Sequence, residues 1–210
     1  MKELMHGKVK TLYDTDDAQK VLIKYEDKVT AFDGKMVDYP ESKGATCCLI
    51  SAVLFEKLQA AGIKTHFLEL PSLNTMVCKK LTIIPVEVIC RNIAAGSIVK
   101  NDSKGDPLLT EDRVRLMGYD PTPLKEQALL INDQLQSLFT LCGIDLVDFK
   151  LEFGFDPHGD LYLADELSPD SMRLWSKGTK ERFDKDLFRK DEGDIVEAYK
   201  YILQKLKQFA

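Results

Sequence analysis

Asp148, Lys150 and Glu152 occupy alternate positions of the run Leu146 to Phe153, and Asp165 and Glu166 end the answering run from Leu161. Val147, Phe149, Leu151 and Phe153 take the other parity. This is the period-two pattern of a strand with one buried face. Asp156-Pro157-His158-Gly159-Asp160 lies between the runs and is rich in turn formers, so the two runs read as a β-hairpin. A loop of Pro157 to Asp160 pairs Asp156 with Leu161 and sets Glu152 directly opposite Asp165. A loop one residue longer puts the two carboxylates on opposite faces. Facing carboxylates repel. A hard divalent cation removes that repulsion, and Mg²⁺ takes one or two carboxylates together with phosphate oxygens. Lys150, one step along the same face, adds a mobile positive charge. A solvated strand face of mixed charge has the same alternation.

Further candidates lie upstream. In Gly7-Lys8-Val9-Lys10-Thr11-Leu12-Tyr13 a glycine precedes alternating lysines, which places Lys8 and Lys10 on one side of a strand where their ammonium groups could close over a polyphosphate. Exposed edge-strand lysines look the same. No Walker A and no Gly-x-Gly-x-x-Gly pattern occurs. Pro85 to Asn92 reads as a buried strand ending in Arg91. Ala94-Ala95-Gly96-Ser97 follows, small residues beside which backbone amides could approach an anion such as a phosphate monoester. Arg173 follows the second run of the hairpin and faces the same region. Asp33-Gly34 reads as a turn and Lys43-Gly44 as a helix entry.

These side chains need a scaffold. Lys8 to Tyr13, Lys20 to Tyr25, Thr65 to Leu70 and Met76 to Leu81 are short strand candidates. Gly44 to Ala61, Leu124 to Cys142 and Gly193 to Phe209 have helical spacing, the first two closed by Gly62 and Gly143. Asn101 to Pro123 reads as loop, and Thr179 to Phe188 as an exposed charged stretch. The chain has 210 residues, 44% of them apolar, enough for one large domain or two small ones sharing a cleft. A net charge of −5 with pI near 5.3 argues against a nucleic-acid binder. No apolar run would span a bilayer and no signal peptide opens the sequence, so a cytoplasmic protein without membrane partners is expected. Five cysteines in apolar surroundings, with no Cys-x-x-Cys, read as reduced core thiols.

The Gly7 to Tyr13 block, Arg91-Asn92-Ile93-Ala94-Ala95-Gly96-Ser97, Leu146 to Gly154, and Asp165-Glu166-Leu167-Ser168-Pro169-Asp170-Ser171-Met172-Arg173-Leu174-Trp175 together resemble the phosphoribosylaminoimidazole-succinocarboxamide synthase (SAICAR synthetase) family, nearly end to end and in order. The resemblance implies an α+β fold: a kinase-like β lobe over residues 1–84, packed on an ATP-grasp-like α+β lobe over 85–210, with the active site between them. It implies a ligase that uses ATP and Mg²⁺ to join L-aspartate to the carboxylate of carboxyaminoimidazole ribonucleotide through an acyl phosphate. It further implies a homo-oligomer, a dimer first.

By that likeness Lys8 and Lys10 hold ATP phosphates, Glu152 and Asp165 bind the metal, and Lys150 stabilises the transferred phosphoryl group. Asp148 orients Lys150 or the attacking amine. Arg91, Ser97 and Arg173 take the ribonucleotide anion, and Asp33 sits near the substrate. Adenine is held by backbone groups near Lys80 to Pro85. Family members carry a longer connection after the Ala-Gly-Ser block; here Ile98-Val99-Lys100 runs almost directly into Asn101-Asp102. Two other classes fit part of the pattern: a different ATP-grasp or kinase-like phosphotransferase or ligase, and a non-catalytic nucleotide-binding module.

Overall fold

A computed structural model describes residues 1–32, 34–95, 115 and 118–209. The first sheet is antiparallel with strand order β1-β2-β3-β7-β6, from β1 (Glu3–His6), β2 (Lys10–Asp14), β3 (Lys20–Tyr25), β6 (Phe67–Ser72) and β7 (Thr75–Lys79). A small hairpin, β4 (Val29–Ala31) and β5 (Met36–Asp38), follows β3. The second sheet is built on the long strand β10 (Ile144–Phe155), which pairs with β8 (Thr82–Ile83), β9 (Val88–Arg91), β11 (Leu161–Ala164) and β12 (Met172–Ser176). Helices α1 (Lys43–Ala60), α2 (Thr122–Leu141) and α4 (Ile195–Phe209) cover the sheets, with a short α3 (Asp186–Lys190) between β12 and α4. The chain leaves the first sheet after Lys79, and β8 already belongs to the second.

The apolar parity of β10 does what its period demands. Phe149, Leu151 and Phe153 are buried in one core that also takes Ile131 and Leu135 of α2 and Tyr199, Ile202 and Leu206 of α4, while Val147 is buried apart from it. Helix α1 is buried nearly all round, with Cys47, Cys48, Ile50, Leu54, Phe55 and Leu58 at or near zero exposure. Its entry packs so closely that a Cβ on Gly44 would stand 2.7 Å from the Glu26 backbone. Four cysteines are buried, Cys90 is half-buried, and all five are free thiols. Among the described residues no helix is long and apolar enough to cross a membrane.

Several expectations need correction. Lys8 is not in a strand: β2 starts at Lys10, and Gly7 to Val9 form the turn of a β1–β2 hairpin, closed by a 2.8 Å bond from the Gly7 N–H to the Lys10 carbonyl. β9 is not buried: Ile89 is 56% exposed and Val88, Cys90 and Arg91 are only partly covered. The charged stretch from Thr179 is not wholly exposed. Asp184 is fully buried, accepting the Leu174 N–H at 2.9 Å and the Asp186 N–H at 2.8 Å, and Leu187 is buried beside it. The hairpin loop has five residues, not four. Phe155 pairs with Leu161 and Glu152 with Ala164, because Asp156 turns into the loop and its carboxylate takes the His158 and Asp160 amides.

Candidate active site

That register aims the Asp165 side chain at the face opposite Glu152, had the strand continued. It does not continue. β11 stops at Ala164, and Asp165 adopts a left-handed backbone, φ 61°. Such a conformation costs a non-glycine residue about 1–2 kcal/mol. The kink turns the Asp165 carboxylate back toward Glu152. The Lys150 ammonium lies between them, 2.6 Å from Glu152 Oε1 and 3.3 Å from Asp165 Oδ2, with Glu87 also at 3.3 Å. The two acids share one ammonium, reached through a kink rather than from facing strand positions.

The electrostatics fit a cation site. Burial and the neighbouring Asp165 charge raise the Glu152 carboxyl above its ordinary range. Burial opposes ionisation of Asp165 as well, but Lys10 and Lys150 outweigh it and hold that carboxyl down to about 2. Burial also works against the Lys150 ammonium, and Asp165, Glu152 and Glu87 more than offset it. Lys10 reaches across from the first sheet to bond Asp165 and stands 3.1 Å from Glu166. Lys8 sits exposed in its turn and makes no ion pair among the described residues.

These groups line a cavity of about 560 Å³ between the two sheets. Its apolar lining comes from Leu12, Val21 and Ile23 of the first sheet and from Leu81 and Ile83 beside β10. A slot lined by both apolar and charged side chains suits a flat base carrying a phosphate tail. Gly154 is what lets the β8 segment lie against β10: a Cβ there would be 2.9 Å from Leu81 Cβ and from the Thr82 carbonyl.

Further along the same face of β10 lies a second cluster. A bulge at Val147 sets Asp148 opposite Arg91 on β9 and Arg173 on β12. The Arg91 Nε donates to Asp148 Oδ2 at 2.9 Å, and Arg173 donates to both oxygens at 3.0 and 2.8 Å and to Asp186 at 3.1 Å. Asp148 therefore orients two arginines and not Lys150, whose partners are Glu87, Glu152 and Asp165. From this arginine pair to Glu152 is four residues of strand, roughly 13 Å. Asp33 and Ser97 lie outside the described residues.

Other groups at the site carried no functional reading in the sequence. Lys43, only 1% exposed, is paired with Asp170, which also accepts the Tyr199 hydroxyl at 2.8 Å. A signal existed: an ammonium at a helix N-terminus is electrostatically wrong, and a helix apolar all round has no wet side for it. Glu166, Asp170 and Lys185 line the cavity, as does His66, whose pKa burial lowers to about 4. Among the described residues no three His, Cys, Asp or Glu side chains gather as a ready metal cage. Glu152 and Asp165 instead share one ammonium, and two carboxylates are as many as Mg²⁺ commonly takes from protein when phosphate supplies its other ligands.

Comparison with known proteins agrees with this geometry. The family model described as SAICAR synthetase matches residues 3–101 and 97–206, its two pieces meeting at the short connection noted above. A Methanocaldococcus jannaschii protein named phosphoribosylaminoimidazole-succinocarboxamide synthase is 43% identical over 227 aligned positions, covering 97% of this chain and 93% of the relative. A Bacillus cereus (strain G9842) protein of the same name is 42% identical over 227 positions, covering 97% of this chain and 95% of its own. Both alignments exceed the 210 residues of this chain, so each relative has residues that it lacks. Among solved structures, a SAICAR synthetase in complex with ADP superposes with TM-score 0.90 at 37% identity, covering 96% of each chain. The Ehrlichia chaffeensis enzyme superposes with TM-score 0.91 at 36% identity, covering 98% of each. With this α+β architecture, this charged face and these relatives, the chain belongs to the SAICAR synthetase family.

Proposed function

We propose that this protein is the ATP-dependent ligase that joins L-aspartate to carboxyaminoimidazole ribonucleotide, giving SAICAR in purine biosynthesis. The carrying observation is the single charged face of β10, with an arginine–aspartate cluster at one end and a lysine between two carboxylates at the other. Residues 1–84 supply the nucleotide-binding lobe, and residues 85–210 the lobe for substrate and metal. Adenine lies in the apolar slot, against backbone groups near Lys80 to Pro85. The phosphates run toward Lys8 and Lys10. Glu152 and Asp165 hold the magnesium, which when bound neutralises phosphate oxygens. Arg91 and Arg173 fix the ribonucleotide's anionic end by charge-assisted hydrogen bonds, with Asp148 holding both guanidinium planes.

A carboxylate is a poor electrophile, so it must first gain a leaving group. Its oxygen attacks the γ-phosphorus, the bond to the bridging oxygen breaks, and ADP departs. Lys150 neutralises charge on the transferring group. The aspartate amine then attacks the acyl carbon, loses a proton, and phosphate leaves with the former carboxylate oxygen. The protein's contribution is placement of the three reactants and balance of their charge. Incubation with ATP, Mg²⁺, L-aspartate and the carboxylated nucleotide should yield the succinocarboxamide by mass spectrometry. ATP binding without any such product would leave only a nucleotide-binding module.

A further inference from the structure

The Gly7 to Val9 turn lines the cavity together with Lys10, and it sits at the edge of the first sheet. All four residues of β1 are exposed, so buried packing does not fix that side of the β1–β2 hairpin. Its position depends on hydrogen bonds, and these converge on Glu26, the residue after β3. The Glu26 N–H donates to the Val9 carbonyl at 2.9 Å, next to the bond from the Gly7 N–H to the Lys10 carbonyl. The Glu26 carboxylate takes the hydroxyl proton of Thr11, and Thr11 Oγ1 lies 2.8 Å from His6 Nδ1. A threonine hydroxyl has a single proton to give, so His6 is the donor in that contact. His6 and Thr11 are the first paired positions below the turn, and the relay His6–Thr11–Glu26 crosses the hairpin there.

The anchor is itself held. Asp27, next in the chain, accepts the Ser42 N–H at 2.9 Å and the Gly44 N–H at 2.8 Å, which ties this corner to the start of α1. The close approach of Gly44 presses the same helix onto the Glu26 backbone. Thr11 is 2% exposed, and neither it nor Glu26 lines the cavity. Valine has the same shape, yet this buried position carries a hydroxyl whose donor and acceptor are both in use.

We propose that Thr11 and Glu26 are positioning residues of the phosphate site: their hydrogen bond fixes the Gly7 to Val9 turn over the cavity and so keeps Lys8 and Lys10 beside the nucleotide's phosphates. The inference rests on the reading that the phosphates run toward those two lysines. Neither Thr11 nor Glu26 touches the nucleotide in this role.

The test is calorimetric titration of ADP, with adenosine measured by competition, on the wild-type chain and the variants Thr11→Val, Thr11→Ser, Glu26→Ala, Lys8→Met and the Thr11→Val/Glu26→Ala double. Thr11→Val should weaken ADP binding about 10-fold, as for loss of a hydrogen bond to a charged group. Adenosine has no phosphate for the turn to meet and should bind within about twofold of wild type, since the apolar slot is untouched. Thr11→Ser keeps the hydroxyl and should bring ADP back to within about threefold of wild type. Glu26→Ala should match Thr11→Val, and the double variant should stay within about twofold of either single, because the two partners of one bond do not add. Wild-type ADP binding by Thr11→Val or Glu26→Ala, an equal loss for ADP and adenosine, no recovery by serine, or additive losses in the double overturns the proposal. Should Thr11→Val fail to fold, Glu26→Ala decides: a loss confined to ADP supports the proposal, and no loss or an equal one refutes it. Lys8→Met separates the levels, since Lys8 is exposed and makes no ion pair among the described residues. If Lys8→Met binds ADP as wild type does, the phosphates do not reach this turn and the underlying reading is wrong. If it weakens ADP while Thr11→Val does not, only the role of Thr11 and Glu26 fails.

Discussion

At the scale of single residues, position along β10 decides role. Glu152 is held near a second carboxylate and its pKa is raised by burial and by that neighbour, so it gains more from a bound cation than an isolated acid would. Glu152→Gln should therefore lower turnover at least about 100-fold, roughly 3 kcal/mol of transition-state stabilisation. The far-ultraviolet spectrum should not change. Mg²⁺-dependent turnover near wild type would count against the site. Arg91 works at the other end. Arg91→Ala should raise KM for the ribonucleotide about 10-fold or more, as for loss of a charge-assisted bond. KM for ATP should shift by less than about twofold, because the nucleotide lies some four strand positions away. Steady-state kinetics with each substrate varied in turn checks this, and equal effects on both would remove Arg91 from the substrate end. The alternation of Asp148, Lys150 and Glu152 was legible in the sequence because period two leaves no other face for them. The partner of Asp148 was not: a bulge at Val147 and two separate strands bring the arginines to it, and neither leaves a local signal.

Secondary-structure elements set where the cleft lies. The helices were legible because apolar spacing and terminal glycines agree, and α1, α2 and α4 begin and end within about two residues of their expected limits. β1, β5, β8 and β12 were not expected. They are short, exposed on one side or held only by pairing, so composition carries little trace of them. The hairpin register was misjudged by one residue because the Asp156 side chain extends the loop, and the kink at Asp165 then undid the consequence. Gly154 tests how tightly β8 must approach. Gly154→Ala should cost about 1–3 kcal/mol in denaturant unfolding, the usual range for overpacking. It should also weaken ADP binding, since the displaced Leu81 and Ile83 line the cavity. Unchanged stability and affinity would mean that the contact relaxes freely.

For the whole molecule, buried ionisable groups tie stability to pH with opposing signs. Burial raises Asp184 to about 6 from 3.8. Its folded state binds the proton more tightly, so its favourable term is full below the unfolded value and is lost as pH rises through 6. Burial lowers His66 to about 4 from 6.5. Its favourable term is full above 6.5 and is lost as pH falls toward 4. The two slopes oppose each other between about pH 4 and 6. Asp184→Asn should steepen the loss of stability on acidification, and His66→Phe should flatten it, as read from urea midpoints across that window. Parallel pH profiles for both variants and wild type would show that neither group titrates there.

The central claim is that one charged face brings a carboxylate and the γ-phosphate of ATP together, so that phosphate departs with an oxygen that began on the nucleotide's carboxyl group. Labelling that carboxyl group with ¹⁸O and analysing the phosphate released during turnover with aspartate is the most direct measurement. The account predicts one labelled oxygen in each phosphate formed. Unlabelled phosphate alongside amide product would contradict it.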